Sequence, residues 1–339
     1  MKSKHIYKSI ACGVLLALTA TSCDLDYNPV DSYSDVTEGV DKTDEKPIFN
    51  SVQDVETSMV TLHKKFRDQQ EHWYVDKLLI GDAHSDNAYA GTTGAEVVPY
   101  ETNSIEGSNS VLKRDWDRFL GDIAEANRII VGCEQLKALS DSERGKYQSQ
   151  AKIFRAMVMF DMVRLWGNFP VITTVGGDIT EDNVEEMYPT YFPPQNTAEE
   201  AYAQIEKDLT EAVENPNTPT NDASDKSILT KSVARAMLAK VYAEKPLRDY
   251  AKVIKYADEL AADGFDLVED FSDLWAYDTE KKDCRVRNTK EAILEAHFPP
   301  GSGNWCTWMF GRNLSNWDES FTWAKWITPS RDLIRLYEE

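Results

Sequence analysis

The densest potential binding chemistry in the chain is GSGNWCTWMFGRNLSNWDESFTWAKW, residues 301–326, which holds five of the nine tryptophans: Trp305, Trp308, Trp317, Trp323 and Trp326. Pyranose rings present apolar C–H faces, so flat indoles interspersed with Asn, Asp and Arg are what a sugar site requires. Gly301, Gly303 and Gly311, with no helical or strand period around them, predict a loop, and loops are where binding residues concentrate. Trp305, Trp308 and Trp317, flanked by Gly, Asn and Asp, are the candidate stacking residues, and Asn304 joins them as a candidate ligand contact. Trp323 and Trp326, three apart ahead of ITPSRDLIRLY, are expected in the core. The competing reading packs these tryptophans into an internal interface.

Other reactive groups are sparse. The five histidines are His5, His63, His72, His84 and His297, and no His-Glu-x-x-His, Cys-x-x-Cys, Gly-Lys-Ser loop or Gly-x-Ser-x-Gly elbow occurs. GDAHSDNAYAGTTG, residues 81–94, gathers Asp82, His84 and Asp86, but without the spacing of a calcium loop, so a polar loop is expected there. Neither a metal nor another cofactor is expected. Acidic residues are numerous enough that a pair at hydrolytic separation would arise by chance, so their abundance carries no catalytic weight, and no enzymatic activity is expected.

Cys23 carries different chemistry. Lys2, Lys4 and Lys8 precede the apolar run IACGVLLALTA, which has signal-peptide length and is too short to span a membrane. A secretory signal (residues 1–22) ending in small residues before cysteine predicts cleavage and lipidation at Cys23. Asp24, Asp26, Asp31, Asp35, Glu38, Asp41, Asp44 and Glu45 then crowd an acidic tether, residues 23–50, with too little apolar surface to offset its ordering entropy. The formal net charge of −21 opposes nucleic acid and anionic polysaccharide as ligands and favours neutral ones. Cys133, Cys284 and Cys306 are an odd set, and pairing of Cys284 with Cys306 stays open.

The elements behind these residues are helical. Val52, Val55, Met59, Leu62 and Phe66 predict a helix over 51–72, and Leu112, Trp116, Phe119, Ile123, Ile130 and Val131 predict a second. Ser140 with Glu143, and Thr197 with Glu200, match the capping-box pattern; the first opens a long helix closing at Gly167 and Pro170, the second a helix closing at Asn215-Pro216. Trp116 and Trp166 fall on apolar faces, and Asp161, three before Arg164, suggests an intrahelical ion pair. TKSVARAMLAKVYAE and RDYAKVIKYADELAADG form a helix pair in which Ala234, Ala239, Ala251 and Ala257 beside Tyr242 and Tyr250 permit the close packing of tetratricopeptide-type repeats. NFPVITTVGGD and MYPTYFPPQ are expected as extended connections.

WDRFLGDIAEANRII (116–130) and QAKIFRAMVMFDMVRLWGNFPVI (150–172) resemble the paired helices of the SusD/RagB family of Bacteroidetes outer-membrane lipoproteins. The likeness continues in order through YFPPQNTAEEAYAQIEKDLTEAVENP, ILTKSVARAMLAKVYAE and KEAILEAHF, the last similar to a strand opening that family's C-terminal region; CDLDYNPVDSYSD resembles its N-terminus. PSRDLIRLYEE resembles a helix after which members continue, so the resemblance implies a fragment. It also implies a mostly α fold: a tetratricopeptide-like body over 51–275 and the start of a less regular C-terminal region over 276–339. The resemblance further implies glycan or peptide capture at the cell surface for a SusC-like TonB-dependent transporter, and makes Asp86, Asn87 and Tyr89, in an early loop of the ligand face, candidate sugar contacts. The expected function is therefore lipid-anchored glycan binding. Its rivals are peptide binding within the same family, a protein-interaction scaffold and, last, a surface glycoside hydrolase.

Overall fold

Helices begin where the chain supplies caps. Ser51 accepts from the Asp54 N–H at the start of α1 (Val52–Asp68), with Asp54 returning the bond in a capping box. Ser140 and Thr197 form the same box at α5 (Asp141–Trp166) and α7 (Ala198–Glu214), while the side chains of Asn109, Thr230 and Asp249 accept first-turn N–H groups of α4 (Ser110–Gln135), α8 (Lys231–Ala243) and α9 (Tyr250–Ala262). The computed structural model describes residues 47–90, 96–177, 179, 183–244, 246–299 and 327–338. Cys23, Asn304, Trp305, Trp308, Trp317, Trp323, Trp326 and Cys306 lie outside the described residues.

From Ile48 onward the chain forms one compact unit, and it is mostly helical. α4 packs on α5, α5 on α7, α7 on α8 and α8 on α9, with α1 across α4 and α5, so each helix buries its stripe against its sequence neighbours, as in a helical-repeat body. Phe154, Met159, Phe119, Ile123, Ile205 and Leu238 are among the fully buried side chains of this core. Trp116 and Trp166 meet edge to face at 5.3 Å on its margin, the structural role their faces predict. Gly167 closes α5 at φ +72°, a conformation that favours glycine. Between α8 and α9, Ala234 is buried and Tyr242 stacks parallel to Tyr256 at 6.1 Å. Tyr250, expected in that groove, is instead exposed with Ala251 and Ala257, because the face of α9 that meets α8 is the one bearing Tyr256.

A smaller core lies beside the first. α2 (Asp76–Leu78) sits between π-helical turns Glu71–Val75 and Leu79–Ala83, and leads to β1 (Ala88–Ala90) and α3 (Val98–Glu101). β1 pairs antiparallel with β4 (Ile327–Pro329), Ala90 opposite Ile327 and Ala88 opposite Pro329, over Val75, Leu79, Val97, Tyr100 and Val111. α10 (Arg331–Glu338) follows β4. Between α9 and β4 lie a short 3₁₀ turn, Phe271–Trp275, and a two-residue hairpin of β2 (Tyr277–Asp278) and β3 (Asp283–Cys284).

Three local expectations are corrected. MYPTYFPPQ is not extended at its start: α6 (Val184–Tyr191) contains Pro189, which removes only its own N–H, while Met187 and Phe192 still donate to Asn183 and Tyr188. KEAILEAHF, residues 290–298, makes no ladder among the described residues; Glu295 N–H donates to the Lys226 carbonyl at 2.8 Å, and Ile293, Leu294 and Ala296 pack on the helical core. Asp161 does not pair with Arg164. Lys77 reaches Asp161 at 2.5 Å and Arg164 reaches Glu244 at 3.0 Å, each acidic partner coming from another element.

Candidate functional site

The polar loop over residues 84–87 is built on an electrostatic foundation. Along residues 71–77, Glu71 pairs with Arg118 at 2.9 Å, His72 Nε2 with Asp122 at 2.9 Å, Asp76 with Arg114 at 2.5 Å and Lys77 with Asp161 at 2.5 Å. Lys65 from α1 closes on the same Asp122 at 2.7 Å. Asp76, Asp115 and Asp122 are buried, so these contacts fix the segment on α4 and α5 at positions where apolar packing is interrupted. Asp115 has a carboxylate, Asp76, as its neighbour; burial and that neighbour push its carboxyl up to about 9. Burial also raises the Tyr100 hydroxyl above its ordinary range, Asp115 and Asp76 adding to the effect.

That segment delivers the loop to β1. Asp86 and Asn87 are exposed, and the Asn87 carbonyl accepts from the Ser330 N–H at 2.9 Å. Tyr89 is 41% exposed and stands opposite Thr328 in the ladder, while the Ala90 N–H donates to Glu101 at 2.8 Å. The three sequence-derived candidates of this loop therefore share one exposed edge. β4, the partner of that edge, begins at Ile327, directly after Trp326 in the sequence. Asp82 is half-buried, and its carbonyl accepts from the Ser85 hydroxyl at 2.9 Å and the Ser85 N–H at 3.2 Å. Among the described residues no three His, Cys, Asp or Glu side chains converge as ligands of an ion.

A second feature escaped sequence reasoning. A cleft of about 880 Å³ opens between α5, α8 and the stretch 294–298, lined by Trp73, Phe160, Trp275 and Phe298 with Lys77 and Arg164 among its polar members. Lys77 lies over the Trp73 ring at 4.8 Å and Arg164 over Phe160 at 5.3 Å, so the cations stand on aromatic faces. Trp275 is 74% exposed, with Phe271 beside it at 6.2 Å. The aromatic spacing of FSDLWAY was the available signal for this patch, but a short run without period does not reveal its orientation.

Residues 31–243 match the family model SusD-like_3, described as "Starch-binding associating with outer membrane". A SusD-like protein of Bacteroides ovatus is 25% identical over 318 residues, covering 90% of this chain and 51% of that protein. Among solved structures, surface glycan-binding protein A from Bacteroides fluxus is similar at a TM-score of 0.60 and 20% identity, over 76% of this chain and 52% of that one. A laminarin binding SusD-like protein is similar at 0.55 and 20% identity, over 67% and 48%. The chain thus spans about half the length of these relatives.

Proposed function

Because the chain belongs to the SusD-like family, whose model is described as starch-binding and associating with the outer membrane, we propose that it is a non-enzymatic surface glycan-binding lipoprotein. Residues 1–22 serve as the export signal, Cys23 carries the lipid and residues 23–50 form the tether. The helical body over 51–275 and the less regular region from 276 present the ligand face, and captured glycan passes to a SusC-like TonB-dependent transporter.

The observation that carries this reading is the β1–β4 ladder, which sets Asp86, Asn87 and Tyr89 beside the strand that directly follows Trp326. Trp305, Trp308 and Trp317 supply stacking faces for pyranose rings, and Asn304, Asp86, Asn87 and Tyr89 supply hydroxyl contacts. Capture needs no bond making, so neither metal nor cofactor enters. The relatives support the ligand class, two of them being named for glycan or laminarin binding.

Affinity electrophoresis of the full chain through gels containing neutral and acidic polysaccharides tests this reading. Retardation by a neutral glycan is expected, relieved when Trp305, Trp308 and Trp317 are replaced by Ala. No retardation by any glycan, with the chain folded, would overturn glycan capture and favour a peptide or protein ligand.

A further inference from the structure

α6 presents a concentration of apolar surface that the folded body does not cover. No residue of the helix is buried; Tyr188, Tyr191 and Phe192 are 56%, 47% and 67% exposed, and Val184 is exposed beside them. Tyr188 and Phe192 lie in offset contact, ring centres 4.8 Å apart with planes inclined by 30°. Exposing such a pair to water is unfavourable by the usual measure of apolar surface, which marks contiguous aromatic surface as a place of contact.

The platform is anchored from beneath. The Tyr191 hydroxyl donates to the Gly177 carbonyl at 2.7 Å, and its ring closes on Gly176, where a Cβ would stand 3.0 Å from Cζ. After the helix, the Asn196 N–H donates to the Phe169 carbonyl at 3.0 Å, and Asn196 Oδ1 accepts from the Val171 N–H at 2.9 Å. Tyr191 therefore holds the helix while Tyr188 and Phe192 are left for something else.

Charge narrows what that is. Between Arg164 and Lys207 the sequence contains no lysine, arginine or histidine, and Glu185 and Glu186 occupy the first turn of α6. Anionic lipid headgroups, nucleic acid and acidic polysaccharide would all meet repulsion there. A neutral sugar meets none: its C–H face packs on an exposed ring and its hydroxyls donate to nearby carboxylates and carbonyls.

We infer that Tyr188 and Phe192 form a second glycan platform, separate in sequence from the 84–89 and 301–326 regions, which contacts another part of the same neutral polysaccharide. This rests on the glycan-binding reading above. Two contacts on one polymer raise avidity through effective concentration without any new chemistry.

The test uses the full chain, a neutral polysaccharide that retards it, and two variants, Tyr188→Ala/Phe192→Ala and Phe192→Trp. Both positions are mostly exposed, so unchanged circular dichroism is expected. The double variant should bind more weakly, with apparent affinity down by roughly 3- to 10-fold, while Phe192→Trp keeps or tightens binding. Wild-type retardation with an unaltered double variant would overturn the second platform and leave the first site standing. Absence of wild-type retardation by every neutral glycan would overturn both readings.

Discussion

Arg155 is the residue through which three helices meet. Its guanidinium donates to both Asp208 oxygens at 2.8 and 2.6 Å and to Asn127 at 2.7 Å, with all three groups buried. Asn127 in turn donates to the Ile172 and Thr174 carbonyls, so α4, α5, α7 and the stretch after α5 share one network. Arg155→Ala would leave Asp208 charged and buried without its main partner, a loss of about 3–5 kcal/mol that urea unfolding would read. Replacing Arg155 with Met and Asp208 with Leu together should recover most of it. Asp115 gives the pH counterpart. Its carboxyl is held up at about 9 when folded and returns to the ordinary range when unfolded, so the folded state binds the extra proton between those values. Stability should therefore fall as pH rises from about 4 to 9, and Asp115→Asn should flatten that fall; equal slopes for the two proteins in thermal melts would refute the raised Asp115 carboxyl. The sequence shows each of these side chains but not its partner. Arg155 and Asp208 are far apart along the chain, and Asp161 took Lys77 over the nearer Arg164, because ion pairs across packed elements leave no periodic trace.

At the scale of elements, what is local was legible. Ser140 with Glu143 and Thr197 with Glu200 form the reciprocal boxes their spacing announces, and Ser140→Ala should cost about 1 kcal/mol in urea unfolding by orphaning the Glu143 N–H. Elements whose form depends on neighbours were less legible. α6 was hidden by its proline, and residues 290–298 carry strand-like composition but find only scattered backbone partners, Lys226 for the Glu295 N–H and Asp266 for the Lys290 carbonyl, in place of a neighbouring strand. The approach of α4 to the chain's entry into the fold was also silent in sequence. Gly132 lies against the buried Phe49 ring, and a Cβ there would overlap Phe49 Cδ2 and Cε2. Gly132→Ala should therefore destabilise by about 1–3 kcal/mol despite its better helix propensity, and a neutral or stabilising result in thermal unfolding would show that Phe49 can move aside.

For the whole molecule, the formal net charge of −21 sets a background of self-repulsion. Raising salt from about 10 to 200 mM shortens the Debye length to below about 10 Å, so the melting temperature at neutral pH should rise rather than fall; a fall would mean that the attractive pairs along residues 65–77 outweigh the net repulsion. The arrangement of contacts also implies an order of events. α4 with α5 and α8 with α9 are neighbours in sequence and can dock as soon as each pair exists. β1 cannot: its partner β4 lies more than 200 residues downstream, so the ladder closes a very long loop for three paired residues. The β1–β4 edge is thus assembled last as the chain folds and loosens first as it opens, which makes the amides of residues 88–90 the early exchangers in a protein whose helices are still closed.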